Sequence, residues 1–265
     1  MLSTDELRRL CPELWNFAFK RHAPKEHIAS ISKVGEIAGK EYAIENALNK
    51  MATEWEPVKF DVLAYKQTGT CIIKVADEVN QLLDDHIVMT QAMGFSPYKK
   101  PFEDRITQWE QKLRITQDVI DEWLHCQCQW LYLEPIFSSE DINRQLPLEG
   151  KRYATMDRIW RKVMKSCKEN PQVITLCPES RLLNNLRECN KLLEQVQKSL
   201  SEYLETKRQA FPRFFFLSDD ELLEILSQTK DPTAVQPHLR KCFENICKVR
   251  GLVLIYAFLM LSLLV

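Results

Sequence analysis

The chain has 265 residues, of which 45% are hydrophobic and 28% are charged, and only six are glycine. This composition predicts a globular, helix-rich chain with enough apolar residues for a real core. The formal net charge of −1 gives no electrostatic reason to expect nucleic acid or an acidic surface as a partner.

The nine cysteines are odd in number and scattered, and the chain opens on the polar segment MLSTDELRRL. Both features favour a reducing compartment with free thiols. Cys126 and Cys128, next to His125, form the only cluster. Because positions i and i+2 of a helix point to different sides, this spacing does not predict a metal site.

The first proline-free interval, 25–56, predicts a helix. Within it, the segment from Gly35 to Lys40 approaches the phosphate-binding pattern G-x-x-x-x-G-K-[ST] without matching it. Its glycines are one residue too close, and Glu41 stands where the hydroxyl that reaches Mg²⁺ should be. We therefore predict no nucleotide site and no cofactor in this chain.

Alternating apolar residues then predict a β-hairpin over about 58–75. The strands VKFDVLAY (58–65) and TCIIKV (70–75) flank Lys66, Gln67, Thr68 and Gly69, and Gly69 supplies the turn. An isolated hairpin is only marginally stable in water, so this one should lie against helices or against a partner.

Two further helices follow. Asp77 is expected to cap the first of them, whose apolar residues are Val79, Leu82, Leu83, Ile87 and Met89. Residues 96–101 are predicted to form the turn that follows this helix. A long helix over 102–134 carries a stripe with a gap across Thr116, formed by Phe102, Ile106, Trp109, Leu113, Ile120, Trp123 and Trp130. Pro135 is expected to end this helix, and 147–151 is expected to be a loop.

The interval 179–211 carries a regular heptad-like stripe. It consists of Leu186, Cys189, Leu193, Val196, Leu200 and Tyr203. Such a stripe is typical of a core seam inside a helical bundle, and an exposed coiled-coil face for a partner is the alternative.

Residues 211–246 predict a rigid corner between helices. Ser218 and Glu221 have the spacing of a capping box, and Leu222, Leu223, Ile225 and Leu226 form the apolar face of the short helix behind it. Pro232 and Pro237 mark two further helix starts. The corner itself contains Arg213, Phe214, Phe215 and Phe216. Because three consecutive aromatic residues cannot all face one core, at least one is a candidate contact with another body. Internal packing of all of them at the helix corner is the alternative.

The last fifteen residues, 251–265, contain no charge. A membrane span needs about 20 apolar residues, so this segment is short for one. Three interpretations stay open: an unrelated end produced by splicing or read-through, a tail anchor, and a buried terminal helix. We expect one helical region over 1–247 and a separate apolar tail over 248–265.

The corner resembles the linker region of dynein heavy chains, especially axonemal ones. The matching pattern runs through FPRFFFLSDDELLEILSQTKDP and QPHLRKCFE almost without gaps, and it extends upstream through 68–93, 96–113, 130–153 and 199–214. The similarity covers roughly residues 5–246 and stops abruptly after Ile246.

The resemblance implies a mainly α fold, an elongated bundle of long helices with one small β-hairpin. It also implies a role as part of the arched lever of an ATP-driven microtubule motor in the cytoplasm, the cytoskeleton and the ciliary axoneme. The implied partners are the AAA+ ring modules, dynein intermediate and light chains and, indirectly, microtubules. Candidate contacts with the ring are Arg213 to Phe216 and the hairpin tip from Lys66 to Gly69.

Two other function classes remain as alternatives. A helical adaptor would bind a partner through an exposed 179–211 seam, and a tail-anchored protein would insert 251–265 into a membrane. An independent enzyme has the least support, because paired carboxylates such as Asp84 and Asp85 are adjacent on a helix and no histidine has a catalytic arrangement.

Overall fold

The computed structural model describes residues 24–227 and 236–244, which are mostly α-helical. The predicted mainly α class with one small β-hairpin is confirmed, since β1 (Asp61–Tyr65) and β2 (Thr70–Lys74) form a two-stranded antiparallel sheet. The apolar tail and the predicted helix start at Pro232 lie outside the described residues. The described chain divides into two compact units.

The first unit contains 24–62, 73–117 and 170–179 of the described chain. Its helices are α1 (Pro24–Trp55), α2 (Asp77–Gly94), the start of α3 (Glu103–Phe137) and the short α6 (Val173–Leu176). A 3-10 turn over Lys100–Phe102 precedes α3. Leu48, Met51, Trp55 and Leu113 are fully buried and form part of its core.

Residues 58–60 were predicted to belong to the first hairpin strand, but the strand begins only at Asp61. Their backbone pairs instead with the segment that leads into α6: Phe60 N donates to Pro171 O at 2.9 Å, and Val173 N donates to Val58 O at 3.2 Å. Lys59 and Gln172 form an isolated antiparallel bridge. The Phe60 donor and the Val58 acceptor thus find partners more than a hundred residues away, which local periodicity does not reveal.

The α2 predictions need two corrections. Ala76, not Asp77, occupies the cap position, and no side chain caps this helix; Asp77 lies in the first turn, where a carboxylate favours the positive end of the helix dipole. Met89 was expected on the apolar face but is exposed, whereas His86, Thr90 and Met93 are buried beside Val79 and Leu83. The buried polar groups are tolerated because they are paired, as the Thr90 hydroxyl donates to Ile87 O at 2.8 Å.

The second unit contains 63–72, 118–169, 180–227 and 236–244 of the described chain. Its helices are the end of α3, α4 (Glu140–Gln145), α5 (Pro147–Glu169), α7 (Ser180–Ala210), α8 (Asp219–Ser227) and α9 (Gln236–Cys242). A 3-10 turn over Pro212–Phe216 separates α7 from α8. α5 packs along α7, and Trp123, Trp130, Met156 and Trp160 are fully buried.

The predicted seam of α7 is buried from Leu186 to Leu200. At its end the seam departs from the prediction, because Tyr203 is only half-buried and Leu204 and Lys207 take the buried positions. The seam therefore lies inside the second unit and is not an exposed strip of apolar residues.

Pro135 does not end α3, which continues to Phe137. Proline removes only its own N–H donor, and Ser138 N still donates to Glu134 O at 3.0 Å. The prediction that the helix ends at Pro135 is therefore wrong, because the helix ends at Phe137.

The predicted loop 147–151 is also wrong, because α5 begins at Pro147. Proline is favoured at the first position of a helix, where its missing donor costs nothing. Gly150 is needed for space rather than for a turn: a Cβ there would lie 2.5 Å from the side-chain oxygen of Asn143.

Candidate interaction surfaces

The corner after α7 is a tight 3-10 turn that begins at Pro212. Phe214 N donates to Phe211 O at 2.9 Å, and Leu217 N donates to Phe214 O at 3.0 Å. Because a 3-10 turn has about three residues per turn, consecutive side chains point in three different directions. This geometry prevents Phe214, Phe215 and Phe216 from sharing one core.

Only Phe214 of the three faces inward. It is 4% exposed and packs edge-on against Phe211 with ring centroids 4.9 Å apart. Phe215 and Phe216 are 57% and 66% exposed. Two adjacent aromatic side chains are thus presented to solvent at the end of a 31-residue helix.

Arg213 serves a different purpose from its neighbours. Its guanidinium donates to Cys242 O at 2.8 Å and lies over the ring of Phe243, 4.6 Å from the centroid. The cation therefore ties the corner to the end of α9. The structure places Arg213 in an internal brace, while Phe215 and Phe216 keep their exposed faces.

The predicted capping box at the start of α8 is present. Ser218 N donates to a Glu221 carboxylate oxygen at 3.0 Å, and Glu221 N donates to Ser218 Oγ at 3.3 Å. Lys241 of α9 lies 2.6 Å from the other Glu221 oxygen. The ammonium of Lys241, with the backbone donor of Ser218, lowers the pKa of Glu221 to about 2.

The hairpin tip, from Lys66 to Gly69, is held against helices of the second unit. Arg161 of α5 donates to Thr68 O at 2.8 Å, and Lys66 Nζ lies 3.9 Å from the Glu134 carboxylate. Beside the tip, Tyr65 packs edge-on against Trp130 at 5.2 Å. The hairpin therefore packs against helices, as the sequence predicted.

The tip has an unusual backbone. Gly69 has a φ of +73°, which glycine adopts without strain, and Lys66 has a φ of +45°, which is uncommon for a residue with a side chain. Thr68 stabilises the turn because both its amide and its hydroxyl donate to Tyr65 O. Gln67 and the Lys66 side chain remain exposed.

Sequence reasoning missed the groups that hold these two surfaces. Arg161 reaches across 93 positions in the chain to Thr68, and the Cys242 carbonyl lies 29 positions from Arg213. No local pattern signals such contacts. It also missed Phe95, which is 90% exposed just after α2, although its place beyond the helix end was a usable signal.

The segment from Gly35 to Lys40 lies in the middle of α1. A phosphate-binding loop wraps its ligand in backbone that is not yet helical, so this placement does not provide the required geometry. Across 24–227 and 236–244, no group of three or more potential ligands is arranged to hold a metal ion. Within those same ranges, no helix combines the length and apolarity needed to cross a bilayer.

Comparison with known proteins identifies the class. The family described as "Dynein heavy chain, N-terminal region 2" matches residues 12–257. The chain therefore belongs to the dynein heavy chain family, in this N-terminal region. The match extends to residue 257, past the expected boundary at 247, and that boundary stays a prediction.

Individual relatives are axonemal. The chain is 72% identical to "Dynein axonemal heavy chain 1" of Mus musculus over 225 residues. The aligned segment covers 85% of this chain and 5% of the mouse protein. It is 53% identical over 215 residues to "Dynein axonemal heavy chain 12" of Homo sapiens, and the aligned segment covers 81% of this chain and 7% of that protein. It is 48% identical over 222 residues to "Dynein axonemal heavy chain 3" of Homo sapiens, covering 84% and 5%. The chain thus spans only a small fraction of the length of these relatives.

Proposed function

We propose that this chain forms part of the mechanical lever, the linker, of an axonemal dynein heavy chain and has no catalytic activity of its own. The observation that carries the proposal is membership of the dynein heavy chain N-terminal region over nearly the whole chain. The axonemal assignment rests on relatives with that word in their names at 48–72% identity.

A lever needs stiff segments joined by short connections. α3 has 35 residues and α7 has 31, so each is about 50 Å long at 1.5 Å per residue. Within the second unit, only Ser138 and Ser139 separate α3 from α4, and only Leu146 separates α4 from α5. These features suit a part that transmits force.

We place the principal contact with a ring module at Phe215 and Phe216. Exposed aromatic residues on a rigid backbone lose little conformational entropy when they bind, and aromatic residues are enriched at interface hot spots. Arg213 and Phe214 hold the turn in place beneath them. The hairpin tip, through Lys66 and Gln67, is a second proposed contact.

The test is a Phe215→Ala, Phe216→Ala double variant in the intact motor. We expect slower microtubule gliding and weaker coupling of ATP turnover to movement, because a lever that docks poorly transmits less of its stroke. Phe95→Ala is the matched control, since Phe95 is a highly exposed phenylalanine in the other unit. Unchanged gliding velocity with unchanged ATPase coupling would remove the docking proposal.

The proposed setting is the ciliary axoneme, with intermediate and light chains and, indirectly, microtubules as partners. We further propose that the chain binds no nucleotide, which the helical setting of the 35–40 segment supports. Titration of the chain with a fluorescent ATP analogue tests this part. Saturable binding in the micromolar range, competed by ATP, would contradict it.

The two alternative functions have less support. The 179–211 seam that an adaptor would expose is buried from Leu186 to Leu200. The tail anchor depends on 251–265, outside the described residues, and it predicts that deleting them turns an alkali-resistant membrane protein into a soluble one. The proposed division into 1–247 and 248–265 can be checked by deleting 248–265, which should leave the unfolding transition unchanged.

A further inference from the structure

Helix α5 of the second unit carries a local excess of positive charge. It contains seven basic and three acidic residues, which gives it a net charge of +4, whereas the whole chain has a formal net charge of −1. The rest of the chain is therefore net negative. The total charge conceals the excess on α5, because exposed charges act only over about a Debye length, ~8 Å at physiological ionic strength.

Four of these cations form one row along the helix. All four are exposed, and they are Lys151, Arg158, Lys162 and Lys165. At about 100° per residue, their side chains leave the helix within a sector of about 60°. The buried residues of α5, among them Met156 and Trp160, lie on the opposite face. This set of four cations, called the basic row below, therefore points away from the core of the second unit.

The basic row has no carboxylates of its own. Among the residues that the structure describes, none of its four side chains has an ion-pair partner, whereas Arg152 lies 3.6 Å from Glu149 and Arg161 lies 2.6 Å from Asp157 on the same helix. The sector that holds the row contains no acidic side chain until Glu169, at the end of the helix. The cations of α5 thus fall into a paired group and an unpaired row.

Like charges three or four positions apart on a helix repel each other. Lys162 stands at these spacings from both Arg158 and Lys165, so the row works against the stability of α5. A solvated helix face usually relieves such repulsion with a carboxylate at i+4 or i−4, as Arg144 and Glu140 do in α4 at 3.3 Å. Carboxylates from another molecule would relieve the repulsion in the basic row.

The dimensions of the row favour a short polypeptide segment. It covers 14 positions of the helix, about 21 Å at 1.5 Å per residue. An extended polypeptide spans this length with six or seven residues at about 3.4 Å each.

Other anionic partners fit less well. Between Lys151 and Lys165, where every residue is described, no large hydrophobic side chain is exposed, so this face lacks the apolar residues with which a surface helix enters a membrane. A long polyanion such as duplex DNA would also meet the net negative charge of the rest of the chain. A short acidic segment needs to contact the row alone.

We propose that the basic row on α5 binds a short, extended segment of a partner polypeptide that is rich in glutamate or aspartate. The carboxylates of the segment supply the opposite charges that the row lacks. The inference does not rest on the lever function, because it depends only on the charge, spacing and exposure of side chains on α5.

The test uses the full chain and a fluorescent hexaglutamate peptide, with fluorescence anisotropy to measure the dissociation constant. A hexaglutamine peptide is the control, because it has the same length without the charge. We expect saturable binding of hexaglutamate that weakens as the salt concentration rises from about 50 mM to about 300 mM, and no binding of hexaglutamine. Equal binding of the two peptides, or no binding of hexaglutamate at the lower salt concentration, would overturn the proposal.

Two further anionic probes distinguish the class of partner. They are vesicles that contain phosphatidylserine and a short DNA duplex, each compared with hexaglutamate at the same concentration of negative charge. We expect the peptide to bind more tightly than either. Tighter binding of the vesicles or of the duplex would assign the row to that other class and overturn the proposal.

A double variant locates the binding. Arg158→Gln combined with Lys162→Gln removes the two central cations of the row and should weaken hexaglutamate binding roughly two- to tenfold, as for the loss of two exposed ion pairs. The matched control is Lys191→Gln combined with Lys198→Gln on α7, since both lysines are exposed and the net charge changes equally. Equal weakening by the two double variants would mean general attraction and would contradict the proposed site.

Charge reversal gives a stronger version of the same test. Arg158→Glu combined with Lys162→Glu should abolish measurable binding of hexaglutamate, because the centre of the row then repels the peptide. Circular dichroism checks that this chain is folded, and the glutamine variant decides the question if it is not. A folded charge-reversal variant that binds hexaglutamate as tightly as the wild type would overturn the proposal.

Discussion

At the scale of single residues, Trp55 and His86 show how a buried polar pair joins two helices of the first unit. The indole Nε1 of Trp55 donates to His86 Nδ1 at 2.9 Å, and His86 Nε2 lies 3.1 Å from a Glu54 oxygen. Since an indole nitrogen can only donate, Nδ1 must act as the acceptor and the imidazole proton sits on Nε2. The tautomer is therefore set by the contact between α1 and α2.

Trp55→Phe should destabilise the chain by about 2–3 kcal/mol, because it leaves the buried His86 nitrogen without a donor and removes part of a fully buried ring. Urea unfolding followed by circular dichroism measures the change. Trp160→Phe is the matched control, since Trp160 is equally buried and its Nε1 has no hydrogen-bond acceptor among the described residues. If the two variants lose the same stability, the hydrogen bond to His86 contributes nothing beyond burial.

Glu221 gives a prediction that depends on pH. Its folded pKa of about 2 lies below the usual value of 4.5, so its ionised form is favoured by folding. The stabilisation is fully present above about pH 4.5 and is lost as the pH falls towards 2. The Glu221→Gln variant should lack this stabilisation at every pH.

The measurement is the difference in unfolding free energy between wild type and Glu221→Gln from pH 6 to pH 2. We expect this difference to shrink steadily below about pH 4.5. Glu188→Gln, on an exposed part of α7, should show no such trend. A difference that stays constant down to pH 2 would argue against the pairing with Lys241 and Ser218.

At the scale of elements, the α5–α7 packing carries much of the second unit. Leu193 lies in the middle of the α7 seam and is fully buried. Leu193→Ala should therefore cost about 2–5 kcal/mol of unfolding free energy, whereas Leu148→Ala, at a side chain 55% exposed, should cost less than about 1 kcal/mol. Denaturant titration of both variants tests this, and a small loss at Leu193 would mean that the seam is loosely packed.

Helices and seams were predictable from sequence because their signal is periodic and local. The stripe from Leu186 to Leu200 and the capping box at Ser218 both depend on residues that are close together in the sequence. Both are present in the structure. Thr116 interrupted the predicted α3 stripe, yet it is fully buried because its hydroxyl donates to Lys112 O at 2.8 Å. A threonine whose hydroxyl is hydrogen-bonded to the helix backbone can occupy a core position. A pattern based on hydrophobic residues alone shows an interruption at that position.

Contacts between distant segments were not predictable in the same way. The pairing of Phe60 with Pro171 and the brace from Arg213 to the Cys242 carbonyl depend on tertiary arrangement alone. For the candidate surface, the sequence indicated that three aromatic residues could not share one core. It did not indicate that Phe214 would be the buried one, because that depends on the 3-10 geometry after Pro212.

At the scale of the whole chain, neither unit is a continuous segment. The chain passes from one unit to the other after Val62, Ile72, Gln117, Glu169 and Glu179. In the first unit, the residues around Pro171 and Val173 complete the backbone pairing of 58–60. A cut at any single point therefore separates residues that belong to one compact unit.

We expect the fragments 1–117 and 118–265, expressed separately, to lack a cooperative unfolding transition. Each lacks backbone or side-chain partners supplied by the other, and small incomplete cores are marginal in stability. Circular dichroism during thermal unfolding tests each fragment, with the two co-expressed as a control for rescue. A sharp, reversible transition in 1–117 alone would contradict the division into interleaved units.

The cysteines have a practical consequence for attaching probes to this chain. Among those described, Cys126, Cys167, Cys177, Cys189 and Cys242 are buried, Cys71 is partly covered, and Cys128 alone is exposed. The Cys189 thiol and burial raise the pKa of Cys126, and burial raises the pKa of Cys167 to about 12, so both resist alkylation, which needs the thiolate. Once Cys11 and Cys247, outside the described residues, are replaced by serine, a maleimide dye should attach chiefly at Cys128. In that variant, the natural Cys128 serves as an attachment point on α3 for distance measurements by energy transfer.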